Sequence, residues 1–267
     1  MRKIILISIL LFGCNIYSQT LINKFGEREY SDKLEHELLI KVCKNLKIKY
    51  SDVNTGKSSS IKYNKKATFF VITYLKEKKA DGNYFSTKYL FANSLNGEII
   101  GEINDENLKY MDDEAMQPSK TYIFKKKITL NDKTYGIGLM TEFSSPSSMS
   151  LYSKQIFTIV RLNKGKLNRL LYEYPIRKTQ GEYNNANRNL EMETLEVTIK
   201  SSMNKTNGYF DLLIEKNFSY ELSTEEDLIN NVKKQNVTKN KTEFQKLIYN
   251  GVNYNFEKDE NLRFLKW

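Results

Sequence analysis

Short turns that contain Asn, most of them with Gly, divide this chain into apolar segments and constrain its fold more than any other feature. They lie at Asn96-Gly97, Asn131-Asp132, Asn163-Lys164-Gly165, Asn207-Gly208 and Asn250-Gly251. Asn, Asp and Gly tolerate the positive φ angles that tight hairpins require. The segments between the turns are dense in Phe, Val, Ile, Thr and Tyr, which favour strands. Consecutive hairpins of this kind predict an antiparallel β meander.

The predicted strands alternate with polar stretches. The strands are 67–75, 84–92, 98–103, 122–130, 133–143, 151–162, 166–174, 190–202, 209–214, 244–249 and 252–256. The longer polar stretches, predicted to be loops, are 54–60, 144–150, 178–189 and 236–241. None of these loops has the length or composition of an interdomain linker. We therefore expect residues 19–267 to form a single β-rich domain.

Two helices are predicted to accompany the strands. In the first, residues 31–46, Ser31 serves as the N-cap and apolar residues recur every three to four positions, at Leu34, Leu38, Leu39, Val42 and Leu46. In the second, Ser223 and Glu226 form a capping box ahead of the apolar Leu228, Ile229 and Val232. The predicted fold class is therefore α+β, a predominantly antiparallel β meander with an N-terminal amphipathic helix and a short late helix.

The N-terminus has the pattern of a secretory signal peptide. Arg2 and Lys3 precede an apolar run at residues 4–12, which is too short for a membrane-spanning helix. Cleavage after Ser18, which removes residues 1–18, is the favoured processing and resembles that of exported proteins of the Bacteroidetes. The alternative is that Leu11-Phe12-Gly13-Cys14 acts as a lipobox. Residues 1–13 are then removed, and Cys14 becomes the lipidation site and membrane anchor.

Composition excludes several classes of protein. The chain has 42 Lys and Arg against 32 Asp and Glu, and removal of Arg2 and Lys3 leaves 40 against 32, a net charge of +8. The basic residues are spread along the chain, and nucleic-acid binding would need a basic stripe or an aromatic stacking motif. The two cysteines are Cys14 and Cys43, so we expect no internal disulfide after either cleavage. Stability must then come from packing.

One segment has a family resemblance. Thr206-Asn207-Gly208-Tyr209-Phe210-Asp211-Leu212-Leu213-Ile214, followed by 247–251, resembles the blade units of FG-GAP or VCBS-type β-propellers. Gly208, Asp211 and Leu212 match the Gly-x-x-Asp-Leu turn of that family. The calcium-binding acidic residues that precede the Gly in the family are absent here, because residues 203–206 are Met, Asn, Lys and Thr. No fixed repeat period joins the other turns, which argues against a complete propeller.

Three sets of residues are candidate sites by residue type. The candidate metal site is an acidic cluster whose carboxylates could bind Ca²⁺. The alternative is that the cluster forms a solvated loop. Its residues are Asp105, Glu106, Asp112, Asp113 and Glu114. His36, the single histidine, is expected to face solvent on the first helix, where it has no motif partner for nucleophilic catalysis. Cys43 is expected to pack near the core. No residue is therefore predicted to be catalytic or to bind a cofactor.

The function expected from these observations is that of a non-catalytic exported binding or interaction protein of the bacterial cell envelope. Its partner is expected to be a protein or an envelope component and not nucleic acid, and an inhibitor or immunity-type protein is a narrower form of this expectation. The alternative is a carboxylate-dependent hydrolase that acts on envelope carbohydrate. We expect no transmembrane span in the mature chain, and a membrane barrel is disfavoured because the strands carry Lys and Arg on both faces.

Overall fold

A computed structural model describes residues 19–23, 29–31, 33–111, 117–145, 150–184, 189–224 and 235–257. This part of the chain is mostly antiparallel β-sheet with one α-helix, α1 (His36–Leu46), and a 3₁₀ turn at Tyr50–Asp52. The strands are β1 (Thr20–Ile22), β2 (Tyr30–Ser31), β3 (Ser59–Lys62), β4 (Ala67–Lys79), β5 (Gly82–Asn93), β6 (Ile99–Met111), β7 (Gln117–Phe124), β8 (Ile128–Asn131), β9 (Thr134–Ser144), β10 (Ser150–Asn163), β11 (Lys166–Asn184), β12 (Asn189–Thr206), β13 (Tyr209–Thr224) and β14 (Gln235–Leu247). The predicted predominance of antiparallel β-structure is thus confirmed.

The described strands form two sheets. The large sheet has the order β14-β13-β12-β11-β10-β9-β7-β2, with β1 added beside β12 and β8 beside β9. The small sheet has the order β3-β4-β5-β6. From β9 to β14 each strand pairs with the next one along the chain, as a meander requires.

The turns that punctuate the sequence adopt the backbone conformation expected of them. Gly97, Gly165 and Gly208 have φ angles of 72°, 77° and 83°, and Asn207 has a φ of 49°. These angles lie in the left-handed region that Gly and Asn enter at low cost. The predicted reversals at these positions are confirmed.

In the part of the chain that the structure describes, apolar side chains pack in three clusters. One lies between the two sheets, where Phe69 and Phe91 of the small sheet meet Ile137 and Val160 of the large sheet. The second covers the opposite face of the small sheet, onto which α1 packs. The third lies against the large sheet and includes Phe157, Tyr174 and Val197. These clusters bury apolar side chains without a disulfide among the described residues.

The helix α1 begins at His36, so the predicted start and N-cap at Ser31 were wrong. Ser31 belongs to β2, where it pairs with Ile123, and its hydroxyl donates a 2.8 Å hydrogen bond to the Ser60 carbonyl. Because its backbone is paired in the sheet, Ser31 cannot also be the N-cap of a helix. Lys47, with a φ of 58°, ends the helix, whose buried residues are Leu38, Leu39, Val42 and Cys43.

Two predicted loops lie in strands at the positions that the structure describes. Residues 178–184 continue β11, Asn189 begins β12, and residues 236–241 lie in β14. Their polar composition was misleading because their backbones pair with long neighbouring strands while many of their side chains face solvent. The opposite error occurs at 122–130, which was predicted to be one strand. The structure ends β7 at Phe124 and begins β8 at Ile128.

The predicted capping box of the late helix was also wrong, because Ser223 lies in β13. It pairs with Leu190 on one side and with Asn236 on the other, and its hydroxyl donates to the Asn236 Oδ1 at 3.1 Å. The remaining residues of that predicted helix lie outside the described residues, as do residues 1–18, including Cys14.

Candidate functional site

A cavity of about 420 Å³ opens on the large sheet over strands β10 to β13. Its described lining residues are Leu151, Tyr152, Gln180, Gly181, Glu182, Glu191, Glu193 and Tyr220. We call this cavity the tyrosine–glutamate pocket. Its residues come from four consecutive strands, and the antiparallel register sets their relative positions.

One row across the sheet builds the centre of the pocket. Tyr152 lies opposite Gln180, Gln180 lies opposite Glu193, and Glu193 lies opposite Tyr220. Directly opposite residues point to the same face of a sheet. The two tyrosines therefore stand at the ends of a row whose middle is an amide and a carboxylate.

The pocket continues the face of β12 that carries the large-sheet core. Leu195, Val197 and Ile199 are buried in that core, and Glu193 stands two positions before Leu195. Since side chains alternate along a strand, Glu193 points to the same side as these apolar residues. Glu193 is only 5% exposed, and the Gln180 Nε2 donates a 3.2 Å hydrogen bond to its Oε2.

The lining of the pocket carries three carboxylates and no basic side chain among the described residues. Glu182 and Glu191 are exposed and lie directly opposite each other in the next row of the sheet. Burial raises the pKa of Tyr220, and the carboxylates of Glu191 and Glu193 raise it further. Burial also raises the pKa of Tyr152. Both tyrosines therefore keep their protons at neutral pH.

Two lysines flank the pocket without lining it. The Lys178 ammonium lies 5.8 Å from the centre of the Tyr152 ring, and the Lys239 ammonium lies 6.0 Å from the centre of the Tyr220 ring. These distances are at the outer limit of cation–π attraction. Each ring of the pocket therefore already lies close to a positive charge on a neighbouring strand.

A second cavity, of about 240 Å³, lies where β1 and β2 meet the large sheet, and its polar groups pair with one another. The Gln155 Nε2 donates a 2.8 Å hydrogen bond to the Glu142 Oε1. Arg177 and Glu196 lie 3.7 Å apart as an ion pair. Because these groups satisfy each other, the tyrosine–glutamate pocket is the stronger candidate site.

The predicted acidic cluster is not a solvated loop, at least for the two of its residues that the structure describes. Asp105 and Glu106 lie in β6, while Asp112, Asp113 and Glu114 lie outside the described residues. Asp105 is 1% exposed and accepts a 2.7 Å hydrogen bond from the Tyr172 hydroxyl of the large sheet. Glu106 is exposed and pairs with Lys109. Asp105 is therefore a structural carboxylate between the two sheets.

His36 and Cys43 lie where the sequence predicted. His36 is exposed on α1, with its Nδ1 2.9 Å from the Tyr50 hydroxyl oxygen. Cys43 is 1% exposed, and burial raises the pKa of its thiol to about 11. A thiol with this pKa stays protonated at neutral pH and is a poor nucleophile.

Within the described residues, no group of three or more His, Cys, Asp or Glu side chains is arranged to hold a metal ion. In the same part of the chain, no helix has the length and apolarity needed to cross a membrane.

Comparison with known proteins does not assign the chain to a family. No protein-family model matches it, and neither a curated protein nor a solved structure resembles it significantly. Two features of the chain itself bear on its function, the signal-like N-terminus and the geometry of the pocket.

Sequence reasoning missed every residue of the pocket, although one signal for it was present. Apolar residues occupy alternate positions at Leu195, Val197 and Ile199, and continuing that alternation backwards reaches Glu193 and Glu191. Carboxylates on the core-bearing face of a strand are unusual and indicate either a partner or a site. The assignment of 178–189 to a loop concealed this, because it removed the neighbouring strand that carries Gln180 and Glu182.

Proposed function

We propose that this protein is a non-catalytic binding protein that is exported to the bacterial cell envelope, where it works in the periplasm or at the outer membrane. Its partner in this proposal is a protein or an envelope component, and its binding site is the tyrosine–glutamate pocket. Export is supported by Arg2 and Lys3 ahead of the apolar run at residues 4–12.

The observation that carries the binding proposal is the row of Tyr152, Gln180, Glu193 and Tyr220 across four strands. Tyrosine supplies a large contact area together with a polar end, and it is enriched at binding sites for that reason. Gln180 and Glu193 add hydrogen-bonding groups at fixed positions between the rings. Strand pairing fixes the backbone positions of these four residues, so binding requires little ordering of the backbone.

A comparative pull-down tests this proposal. The wild-type protein and a Tyr152→Ala, Glu191→Gln variant are each immobilised and incubated with envelope extract of the native host. The control is Tyr135→Ala, because Tyr135 is 44% exposed in β9 and does not line the pocket. We expect a component that is retained by the wild type and by the control but lost from the pocket variant. Equal retention by all three proteins would show that binding does not use the pocket.

A carboxylate-dependent hydrolase of envelope carbohydrate is the second candidate, and the different environments of the pocket carboxylates favour it. Glu193 is buried, whereas Glu182 and Glu191 are exposed. Pairs of carboxyls in unlike environments can divide acid and base roles between them. If this reading is correct, the wild type releases reducing ends from purified envelope glycan and Glu193→Gln abolishes that turnover. Absence of turnover in the wild type would leave the binding proposal.

Two narrower statements complete the proposal. The protein belongs to the class of inhibitor or immunity-type proteins if its partner is a toxin, and it is anchored by lipid if Cys14 is modified. For the fold as a whole we retain the α+β class with an N-terminal amphipathic helix and a short late helix as a proposal.

A further inference from the structure

We propose that the tyrosine–glutamate pocket binds an organic cation, a primary ammonium or guanidinium group, held between the tyrosine rings and the exposed glutamates. This inference rests on the proposed function and names the chemical class of the ligand. It depends on the register of the sheet, on the composition of the cavity wall and on the position of the two tyrosines.

The register places two like charges side by side. Glu182 of β11 lies directly opposite Glu191 of β12, and such cross-strand neighbours have their Cβ atoms about 5 Å apart. Like charges in this arrangement destabilise a sheet. Neither carboxylate forms an ion pair with a Lys or Arg among the described residues, so a cation from outside the chain would relieve their repulsion.

The repulsion is reinforced by Glu193, which is two positions from Glu191 on the same face of β12. The lining thus brings three negative charges to one cavity in a chain whose net charge is +10. A cation that enters the cavity is attracted by all three carboxylates. Their attraction is strongest where water is excluded, as it is around Glu193.

The tyrosines add a second kind of attraction for the same ligand. Tyr152 and Tyr220 are three strands apart, which puts their Cα atoms about 14 Å from each other at the usual spacing of strands. An ammonium or guanidinium between them can contact the face of either ring. The Lys178 and Lys239 ammonium groups lie 5.8 and 6.0 Å from the two ring centres, so each ring already lies near a positive charge from a neighbouring strand.

The volume of the cavity selects an organic cation over a bare metal ion. The cavity has a volume of about 420 Å³, which is far larger than that of a bare metal ion and is in the range of small-molecule sites in other proteins. The Lys178 and Lys239 ammonium groups lie beside the two tyrosine rings, and their charges oppose a cationic ligand there. We therefore expect modest affinity that falls as ionic strength rises, because salt screens exposed charges.

Calorimetric titration of the purified protein tests the inference with three probes. Spermidine represents a free ammonium ligand, and a capped Gly-Arg-Gly peptide represents a side chain of a protein partner. A capped Gly-citrulline-Gly peptide is the matched neutral probe, because citrulline keeps the shape of arginine but carries no charge. We expect one or both cations to bind and the citrulline peptide to bind at least about tenfold more weakly.

Two variants locate the binding. Glu182→Gln combined with Glu191→Gln should weaken binding of the cationic probe about tenfold or more, while keeping the size and shape of both side chains. The matched control is Glu221→Gln, because Glu221 is exposed on β13 next to Tyr220 and alternation directs it to the opposite face. Unchanged affinity in the double variant, or equal loss in the control, would overturn the inference.

The probes also separate this inference from the proposed function. If the citrulline peptide binds as tightly as the arginine peptide, the pocket is a binding site but not for cations, and the proposed function survives. If no probe binds but the pull-down still depends on Tyr152 and Glu191, the cation inference alone fails. If the pull-down is also insensitive to the pocket, the proposed function fails as well.

Discussion

The Tyr172 hydroxyl of β11 donates a 2.7 Å hydrogen bond to the Asp105 Oδ1 of β6, and this bond joins the large sheet to the small sheet. Asp105 also accepts from the backbone N–H of Asn107 at 3.2 Å, and the Arg169 guanidinium lies 3.8 Å away. Burial raises the pKa of Tyr89, which also contacts Asp105, well above its usual value. The Asp105 carboxylate can be buried, at 1% exposure, because several donors surround it.

Removing the Tyr172 hydroxyl should weaken the contact between the two sheets. Tyr172→Phe keeps the ring but leaves buried Asp105 with one donor fewer, and we expect the free energy of unfolding to fall by about 1–3 kcal/mol. Urea denaturation followed by circular dichroism measures the loss. Tyr135→Phe is the control, since Tyr135 is 44% exposed and should change stability by less than about 0.5 kcal/mol. Equal stability of the two variants would contradict a structural role for the bond.

The buried thiol of Cys43 should make the protein less stable in alkaline solution. Its pKa is about 11 in the folded chain against an ordinary value of 9.0, so the unfolded thiol loses its proton first as the pH rises. The contribution of this thiol to the free energy of unfolding is fully present below pH 9.0 and is lost as the pH approaches 11. Urea midpoints across this interval should fall more steeply for the wild type than for Cys43→Ala. Parallel curves would show that the thiol does not contribute.

The same burial should protect the thiol from reagents. At pH 8 we expect a chromogenic disulfide to react with Cys43 at least about 100-fold more slowly in the folded than in the unfolded protein, because less thiolate forms and access is blocked. Rapid reaction in the folded state would place Cys43 at the surface.

Gly101 should not tolerate a larger side chain. A Cβ added there would lie 2.7 Å from the Gly165 carbonyl oxygen and 2.9 Å from the Leu162 Cδ1, where β6 meets the β10–β11 hairpin. The backbone cannot move away easily, so Gly101→Ala should cost about 1–3 kcal/mol of stability in thermal or urea unfolding. Gly56→Ala is the matched control, because its Cβ would meet a single side-chain atom at 3.4 Å. Similar values for both variants would mean that the sheets adjust at Gly101.

His36 should be dispensable. It is exposed and its contact with Tyr50 lies at the surface, so His36→Ala should change the free energy of unfolding by no more than about 0.5 kcal/mol. The binding measured in the pull-down should also be unchanged. Loss of function in a folded His36→Ala protein would direct attention to α1 as an active site.

The N-terminus of the protein from its native host should begin at Gln19. Edman sequencing checks this directly, and a blocked N-terminus with lipid label on Cys14 would support the anchored form instead. An intact Met1 on cytosolic protein would contradict export.

Prediction from sequence succeeded where a local rule decides the structure. The turns around Gly97, Gly165 and Gly208 follow from the few residue types that accept a positive φ. The buried side of α1 follows from the spacing of Leu38, Val42 and their neighbours. The prediction failed for residues 178–184 and 236–241, because polar residues can occupy strands whose backbones are paired on a sheet.

The amino-acid sequence by itself determined the antiparallel β character of the chain, its main hairpin turns and the exposure of His36, because each depends on residues close together along the chain. Only the tertiary structure decided that Asp105 is buried against Tyr172 and that Tyr152, Gln180, Glu193 and Tyr220 form one row. Those relationships depend on the register between strands and on the packing of one sheet against the other. Register is set by many side chains at once, and no local pattern around Glu193 specifies which residues will stand beside it.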